Sequence, residues 1–509
     1  MPALAAAAQS PGLGAHTFVG RDRELAEIEA LLTGATDVQL RAALDGLPGI
    51  GKTELARQVV ARLARSRKFP GGIFWFNAEH ADLRMQWADL AEDAGGPPLP
   101  DLDARATWAV RQIEHRAQQG DAILIVLDNV ETWAPPPTPL PDVSAIRLLV
   151  TTRVRWLHNS FRPYEVPPLE LTPARKLLHA IAGRELAHAD ELLHALGGHV
   201  LSIELAATYL REYGTSPADY LAQLAAGKSP GSSVADQTSY RATAEHAFRL
   251  LWQRIASALR AAWVLAAQLS PAWFSSELAE AIGLGAEDRR GLVRLHLLER
   301  DDQGRHQMHR LLREFALAEE PAAMPLREAV IRGATELLDS GDVALRFQHY
   351  RRDVDSFEHL VAASADTPGC ADLMSACGRG LQQHGDLPTA RVLLEQAFAS
   401  DRKTYGDEHP RVATRRNDLA LLLQDLGDLP AARVLFEQAL ASDCKTYGDD
   451  HPRVATKRNN LAVLLQRLGH LPAARVLFEQ ALASDRKTYG DDHRTVARGR
   501  SNLASLLRD

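Results

Sequence analysis

Eight residues near the start of the chain, Gly46-Leu-Pro-Gly-Ile-Gly51-Lys52-Thr53, have the types and spacing GxxxxGK[ST] of a phosphate-binding loop. Glycines let backbone N–H groups turn inward around anionic oxygens, and a helix starting just after them adds partial positive charge. Lys52 supplies a mobile cation for the β- and γ-phosphates, and Thr53 offers a hydroxyl to Mg²⁺. With Gly46, Gly49, Ile50, Gly51 and Glu54 they make the expected contact run for ATP or ADP. An ordinary glycine-rich turn would not need an apolar strand before it and an amphipathic helix after it, and both are present.

Such a loop needs an acid on a neighbouring strand to hold the metal. The apolar run Ala122–Leu127 is followed directly by Asp128, the candidate Walker B aspartate. The next residue is Asn129, where many ATPases of this kind carry a second acid. Asparagine is no general base, so turnover is expected to be slow unless another group, such as the nearby Glu131, activates water. A further apolar run, Arg147-Leu-Leu-Val-Thr-Thr-Arg153, ends in an arginine that could read the γ-phosphate.

The elements that must position these residues are legible as alternation. Strands are expected at Val38–Leu44, Gly72–Phe76, Ala122–Leu127, Arg147–Thr151 and Tyr164–Val166, with helices between them such as Glu54–Ala64 and Trp108–Gln118. That pattern predicts an α/β core with a parallel sheet. Pro135–Pro141 reads as a loop, and from about Leu171 to Leu292 the pattern is helical throughout.

Phe18-Val-Gly-Arg-Asp-Arg-Glu-Leu25, the two Walker motifs and Val150-Thr-Thr-Arg153 resemble the NB-ARC branch of the STAND ATPases, signal-transducing ATPases with numerous domains. The resemblance implies an AAA-like P-loop core followed by an all-α helical domain and a winged helix. It implies that Val19, Gly20 and Arg21 lie against adenine and that Arg153 serves as sensor 1. Leu196-Gly-Gly-His-Val-Leu-Ser-Ile-Glu-Leu-Ala-Ala207 stands at the GxPLAL motif, with Val200 in place of proline. Met308-His309-Arg310 stands at the MHD motif, after the hairpin signal Asp301-Asp-Gln-Gly304. By that resemblance His309 touches the β-phosphate of ADP and latches the closed state, while Arg310 replaces the family's acid.

The rest of the chain repeats. Leu387–Asp428 and Leu429–His470 are identical at 32 of 42 positions, and a third copy starts at Leu471. A fixed period of this length means stacked supersecondary units that share one core. Each unit reads as two helices, roughly Pro410–Leu426 and Pro430–Lys445, with Ala432, Val434, Leu435, Ala439 and Leu440 expected inward. The repeat resembles the tetratricopeptide repeat of kinesin light chain, and a diverged pair precedes it at about Ala371–Arg402. The sequence stops after the first helix of a pair, which either caps the array or belongs to something longer.

The domain reading is a disordered tail at 1–16, the ATPase core at 17–165, a helical domain at 166–245, a winged helix at 246–320, a helical arm at 321–369 and the repeat array at 370–509. With 46% hydrophobic and 24% charged residues, the 509-residue chain is neither disordered nor fibrous. A net charge of −7 and no basic groove-reading element argue against a nucleic-acid partner. Three cysteines without CxxC spacing fit a reducing, cytoplasmic setting, and no membrane span is legible. The expectation is a slow, ATP/ADP-controlled switch. A protein or peptide would bind the repeats, ATP-bound copies would self-associate, and a partner would supply the effector. Two other readings stay open: a repeat scaffold with a structural nucleotide, and a DNA-binding regulator.

Overall fold

The apolar runs of the first third form five strands in the computed structural model, which describes residues 18–34, 40–78, 83–99, 101–130, 143–153, 161–226 and 237–508. They are β1 (Leu40–Asp45), β2 (Gly72–Asn77), β3 (Ile123–Val130), β4 (Ile146–Thr152) and β5 (Arg162–Glu165). Their order is β2-β3-β4-β1-β5, and every neighbouring pair is parallel. Because side chains alternate along a strand, an inner strand of such a sheet must be apolar on both faces. In β3, Ile123, Ile125 and Leu127 pack with Trp87 and Ile113 in one core, whereas Leu124 and Val126 pack with Leu55 and Val59 in another. The first face is covered from helices at Arg84–Asp93 and Leu102–Gln118. The second is covered from α1 (Asp22–Thr33) and α2 (Lys52–Arg65).

The strand order decides where the chemistry collects. β4 lies between β1 and β3, so the loop after β1, Asp128 near the end of β3 and Arg153 just after β4 all emerge at the carboxyl edge of one sheet. Ligands of open α/β sheets bind in the crevice at that edge. The expected strand Val38–Leu44 begins at Leu40, since Val38 and Gln39 lie outside the described residues. So do the tail 1–16, Glu131 and the loop 135–141.

Helices follow from Leu171 onward. They include Leu171–Ala182, Ala189–Leu196, Val200–Tyr213, Pro217–Ala226 and Gln237–Arg254. Three more, Ser257–Ala266, Ser276–Ala281 and Ala286–Arg294, lead into an antiparallel hairpin of Glu299–Arg300 with His306–Gln307. The helix Arg310–Glu319 comes next. Its Phe315 packs edge-on with Phe248 and Trp252 and against Trp263, so the tryptophans at 252 and 263 are core.

The chain divides into two compact units, residues 1–330 and 331–509. In the second, paired helices stack: Cys370–His384 with Leu387–Tyr405, Pro410–Asp425 with Leu429–Tyr447, and Pro452–Arg467 with Leu471–Tyr489, then Arg494–Leu506. Small residues recur at the contacts. Ala390, Ala432 and Ala474 are fully buried, as are Ala397 and Ala439. The inward set differs from the expected one: Leu435 and Leu440 are only half-buried, and Val434 turns outward. Val434 is 51% exposed, as are its counterparts Val392 and Val476 at about the same level, while Phe436 is fully buried. The buried stripe runs 432, 436, 439, the i, i+4, i+7 spacing of one helix face. Consecutive apolar residues at 434–436 cannot all belong to that face.

Among the described residues no helix is long and apolar enough to cross a membrane. None of their His, Cys, Asp and Glu side chains group as three or more in a metal-holding cluster.

Candidate nucleotide site

The loop after β1 turns on three glycines with positive φ: Gly46 at 150°, Gly49 at 76° and Gly51 at 95°. A side chain at Gly49 would meet His199 Cε1 at 3.1 Å and Leu201 at 3.2 Å, so close approach as well as φ requires glycine there. Lys52 opens α2, and its Nζ donates to the carbonyls of Gly46 at 2.9 Å and Leu47 at 3.0 Å, which curls the loop around the ammonium. Burial, with help from nearby Arg153, lowers its pKa to about 8, against the pull of Asp45 and Asp128. A cation held this way is stabilised by an anion arriving in the loop.

Thr53 donates to Asp128 Oδ1 at 2.9 Å, bringing the two expected metal-holding groups together across 75 residues of sequence. Thr151 of β4 donates to the same oxygen and accepts from the Asn129 N–H at 2.9 Å. Asn129 has φ of 61°, and the β3–β4 register shifts between Leu127 and Val130. Burial pushes the Asp128 carboxyl up, opposed by its hydroxyl donors and by the charge of Arg57.

Above the loop lies a cleft of about 1570 Å³, open mouth included. Val19, Arg21, Gly49, Ile50, Gly51, Lys52, Thr53, Glu54, Arg153 and His309 line it. Three expected residues stand behind that surface. Asp128 is buried against Thr53, and Gly46 forms the base of the loop. Gly20 packs on Pro173, where an added Cβ would lie 1.9 Å from the proline Cβ at a φ of 66°. Gly20→Ala should therefore cost about 1–3 kcal/mol of stability, read as a lowered denaturation midpoint, by overpacking and backbone strain. Arg21 is buried, paired with Glu24 at 3.0 Å and donating to the Ile50 carbonyl at 3.4 Å.

The far wall comes from later in the chain. His199 caps the helix that Val200 opens. Its Nδ1 accepts from the Ser202 N–H, and its Nε2 donates to the Pro48 carbonyl at 2.7 Å. The Leu201 N–H donates to the Gly49 carbonyl at 3.2 Å. Valine at 200 serves because the first helical residue needs no partner within its own helix for its N–H. His309 caps the helix Arg310–Glu319, its Nδ1 accepting from the Leu311 N–H at 3.2 Å. Both caps fix the neutral tautomer with hydrogen on Nε2, so His309 has an N–H donor to offer without becoming charged.

Burial lowers the His309 pKa to about 4, as do the charges of His199, Lys52 and Arg153, while Glu299 opposes them. His306 is lowered to about 4 as well, by burial and by Arg289 and Arg300. Between pH 6.5 and 4 the unfolded chain binds more protons than the folded one at both positions. Their stability contribution is complete above about pH 6.5 and is lost as pH falls toward 4. The thermal midpoint should drop by several degrees over that interval. His309→Asn, which keeps a cap acceptor, should flatten the dependence.

Leu177, Pro271 and Glu299 line the cleft and lie outside the motifs quoted from the sequence. Phe18, His199 and Glu204 lie inside those motifs, but the sequence assigned them no contact of their own. Trp273 is partly exposed, with Arg57 and Arg305 each placed over its ring. The donor set fits a nucleotide with Mg²⁺: a glycine cradle with positive φ and close neighbours at Gly49, a lysine curled into the loop, and a threonine–aspartate pair.

Residues 369–445 and 454–495 match tetratricopeptide repeat families, and this part of the chain is a tetratricopeptide repeat array. No curated protein matches the chain. Among solved structures, it is similar to a STAND protein with a tetratricopeptide repeat sensor from Pyrococcus horikoshii. That pair is 15% identical over 97% of this chain and 81% of that one, with a TM-score of 0.45. It is 28% identical to a putative kinesin light chain of Podosopora anserina with nearly identical repeats, over 35% of this chain and 85% of that one, at a TM-score of 0.30. It is 16% identical to the Aeropyrum pernix ORC1 protein in complex with DNA, over 60% of this chain and 94% of that one, at a TM-score of 0.27.

Proposed function

We propose that this chain is a nucleotide-controlled signalling switch of the STAND class. Its core is 17–165, its helical domain 166–245 and its winged helix 246–320, joined by the arm 321–369 to a sensor array at 370–509. The observation that carries the reading is the composition of the cleft walls. One wall is the loop 48–54, and the other comes from Val200, Leu201, Glu204 and the segment 296–312. A nucleotide seated on Lys52 touches groups separated by more than 250 residues, so its identity can set whether those parts stay together.

Bound Mg²⁺ would supply charge neutralisation for the phosphates, held by Thr53 and Asp128. The chain's own residues do the rest. Lys52 and Arg153 hold phosphate charge, and Arg21 fastens the adenine-side segment to the loop through the Ile50 carbonyl. His309 donates a neutral N–H. Asn129 keeps hydrolysis slow, since it cannot take a proton from water. ADP favours the closed arrangement, and ATP favours an open form that associates with further copies. A protein or peptide held by the repeats biases that exchange.

The test is to identify the nucleotide that co-purifies, then add excess ATP with and without candidate partner protein while following exchange and mass by light scattering. Exchange accompanied by a mass increase supports the switch. Bound nucleotide that never exchanges under any condition would leave the repeat scaffold as the reading.

A further inference from the structure

Arg57 binds no phosphate in the reading above, yet its side chain is only 5% exposed. It lies on α2, four residues beyond Thr53. Its Nη1 is 3.5 Å from Glu54 Oε2 and 3.7 Å from Glu299 Oε2. Its guanidinium sits over the Trp273 ring, 5.5 Å from the centroid, and Arg305 approaches the same ring at 5.9 Å. Glu54 belongs to the phosphate-loop helix. Glu299, Trp273 and Arg305 belong to the segment that carries His309. A buried cation of the loop helix thus joins the two walls of the cleft, whose lining includes Arg57, Glu54 and Glu299.

The junction is held by charge rather than by hydrogen bonds. Glu54 Oε2 and Arg57 Nε are both buried with no hydrogen-bond partner. Buried polar atoms left this way cost free energy that hydration would return. The contact is therefore attractive in Coulomb terms and yet releases a penalty when it opens. Removing one partner of such a pair leaves the other charge uncompensated, so the loss is felt mainly in the closed arrangement. Trp273 adds a ring face that exists for Arg57 only while the two segments are together.

We propose that Arg57, Glu299 and Trp273 form a second closing contact, separate from the nucleotide contact at His309, whose rupture is part of opening. This rests on the nucleotide-switch reading. Glu299 also helps set His309, since its charge favours the protonated ring, so the two contacts share one acid.

The test uses the full chain and Glu299→Gln, which keeps shape and removes charge. Two readouts apply: release of a fluorescent ADP analogue after a chase with unlabelled ADP, and hydrogen exchange of residues 257–319. The expected result is release about three- to tenfold faster, with faster exchange in that segment. In a cycle with Arg57→Gln, the double variant should release no faster than the faster single variant, because both remove one contact. Trp273→Leu should also speed release. If release and exchange are unchanged in Glu299→Gln while Lys52→Ala loses nucleotide, the closing contact is overturned and the switch reading stands. Additive effects in the cycle would overturn it too. If Lys52→Ala keeps its nucleotide, the switch reading fails, and unchanged exchange at 257–319 then disposes of the contact separately.

Discussion

Lys52→Ala is expected to abolish nucleotide binding, lowering affinity at least about a hundredfold, on the order of 3 kcal/mol for charged hydrogen bonds lost in a dry site. The size follows from the surroundings. Lys52 is half-buried at the floor of the cleft, and the cation beside it is Arg153, while histidines 199 and 309 stay neutral. No solvent ion replaces it there at equal strength. Its two carbonyl bonds, to Gly46 and Leu47, also shape the loop, so the variant loses preorganisation as well as charge. The measurement is nucleotide content of the purified protein together with titration calorimetry, with circular dichroism as the fold control. Lys52→Arg keeps the charge but not the compact three-donor geometry, and should recover only part of the affinity. Equal nucleotide content in wild type and Lys52→Ala would remove the loop from phosphate binding.

The second large effect is expected from His309→Ala, which should raise ATP occupancy and spontaneous association, with ADP release roughly tenfold faster. Two losses combine. The Nε2–H donor disappears, and so does the cap on the Leu311 N–H, worth about 0.5–2 kcal/mol by itself. His309→Asn separates them. Asparagine caps as well as histidine but has a shorter reach into the cleft. If the donor matters, the asparagine variant releases ADP nearly as fast as the alanine variant while its thermal midpoint stays near wild type. If only the cap matters, it behaves as wild type. Because the cap holds Nδ1 as an acceptor and the ring is neutral down to about pH 4, release from wild type should change little between pH 6 and 8. A release rate that climbs steeply as histidine deprotonates near pH 6.5 would show that a charged ring holds the nucleotide, and would sink the neutral-donor account.

The repeat array and the site differ in how they depend on sequence. In the array, contacts are between neighbours, so a 42-residue period with alanines at fixed places already sets two packed helices per unit. What periodicity misjudged was one face. Val434, Leu435 and Phe436 are consecutive and all apolar, and only the packing partner decides that Phe436 enters the core and Val434 faces water.

Local chemistry determined the loop 46–53, Asp128 at a strand end and Arg153 after another strand. Glycine conformations, charge at a helix start and strand alternation act over a few residues, and a sequence displays them directly. Tertiary structure alone decided the strand order that brings Thr53 to Asp128, the use of His199 to fasten a later helix to Pro48, and the burial that keeps His309 neutral. It also set Arg57 between Glu54 and Glu299, residues 245 positions apart with nothing in their own neighbourhoods to pair them. Burial, pKa and long-range pairing are properties of what surrounds a group. Those surroundings exist only once crossovers have carried distant segments to one edge of the sheet.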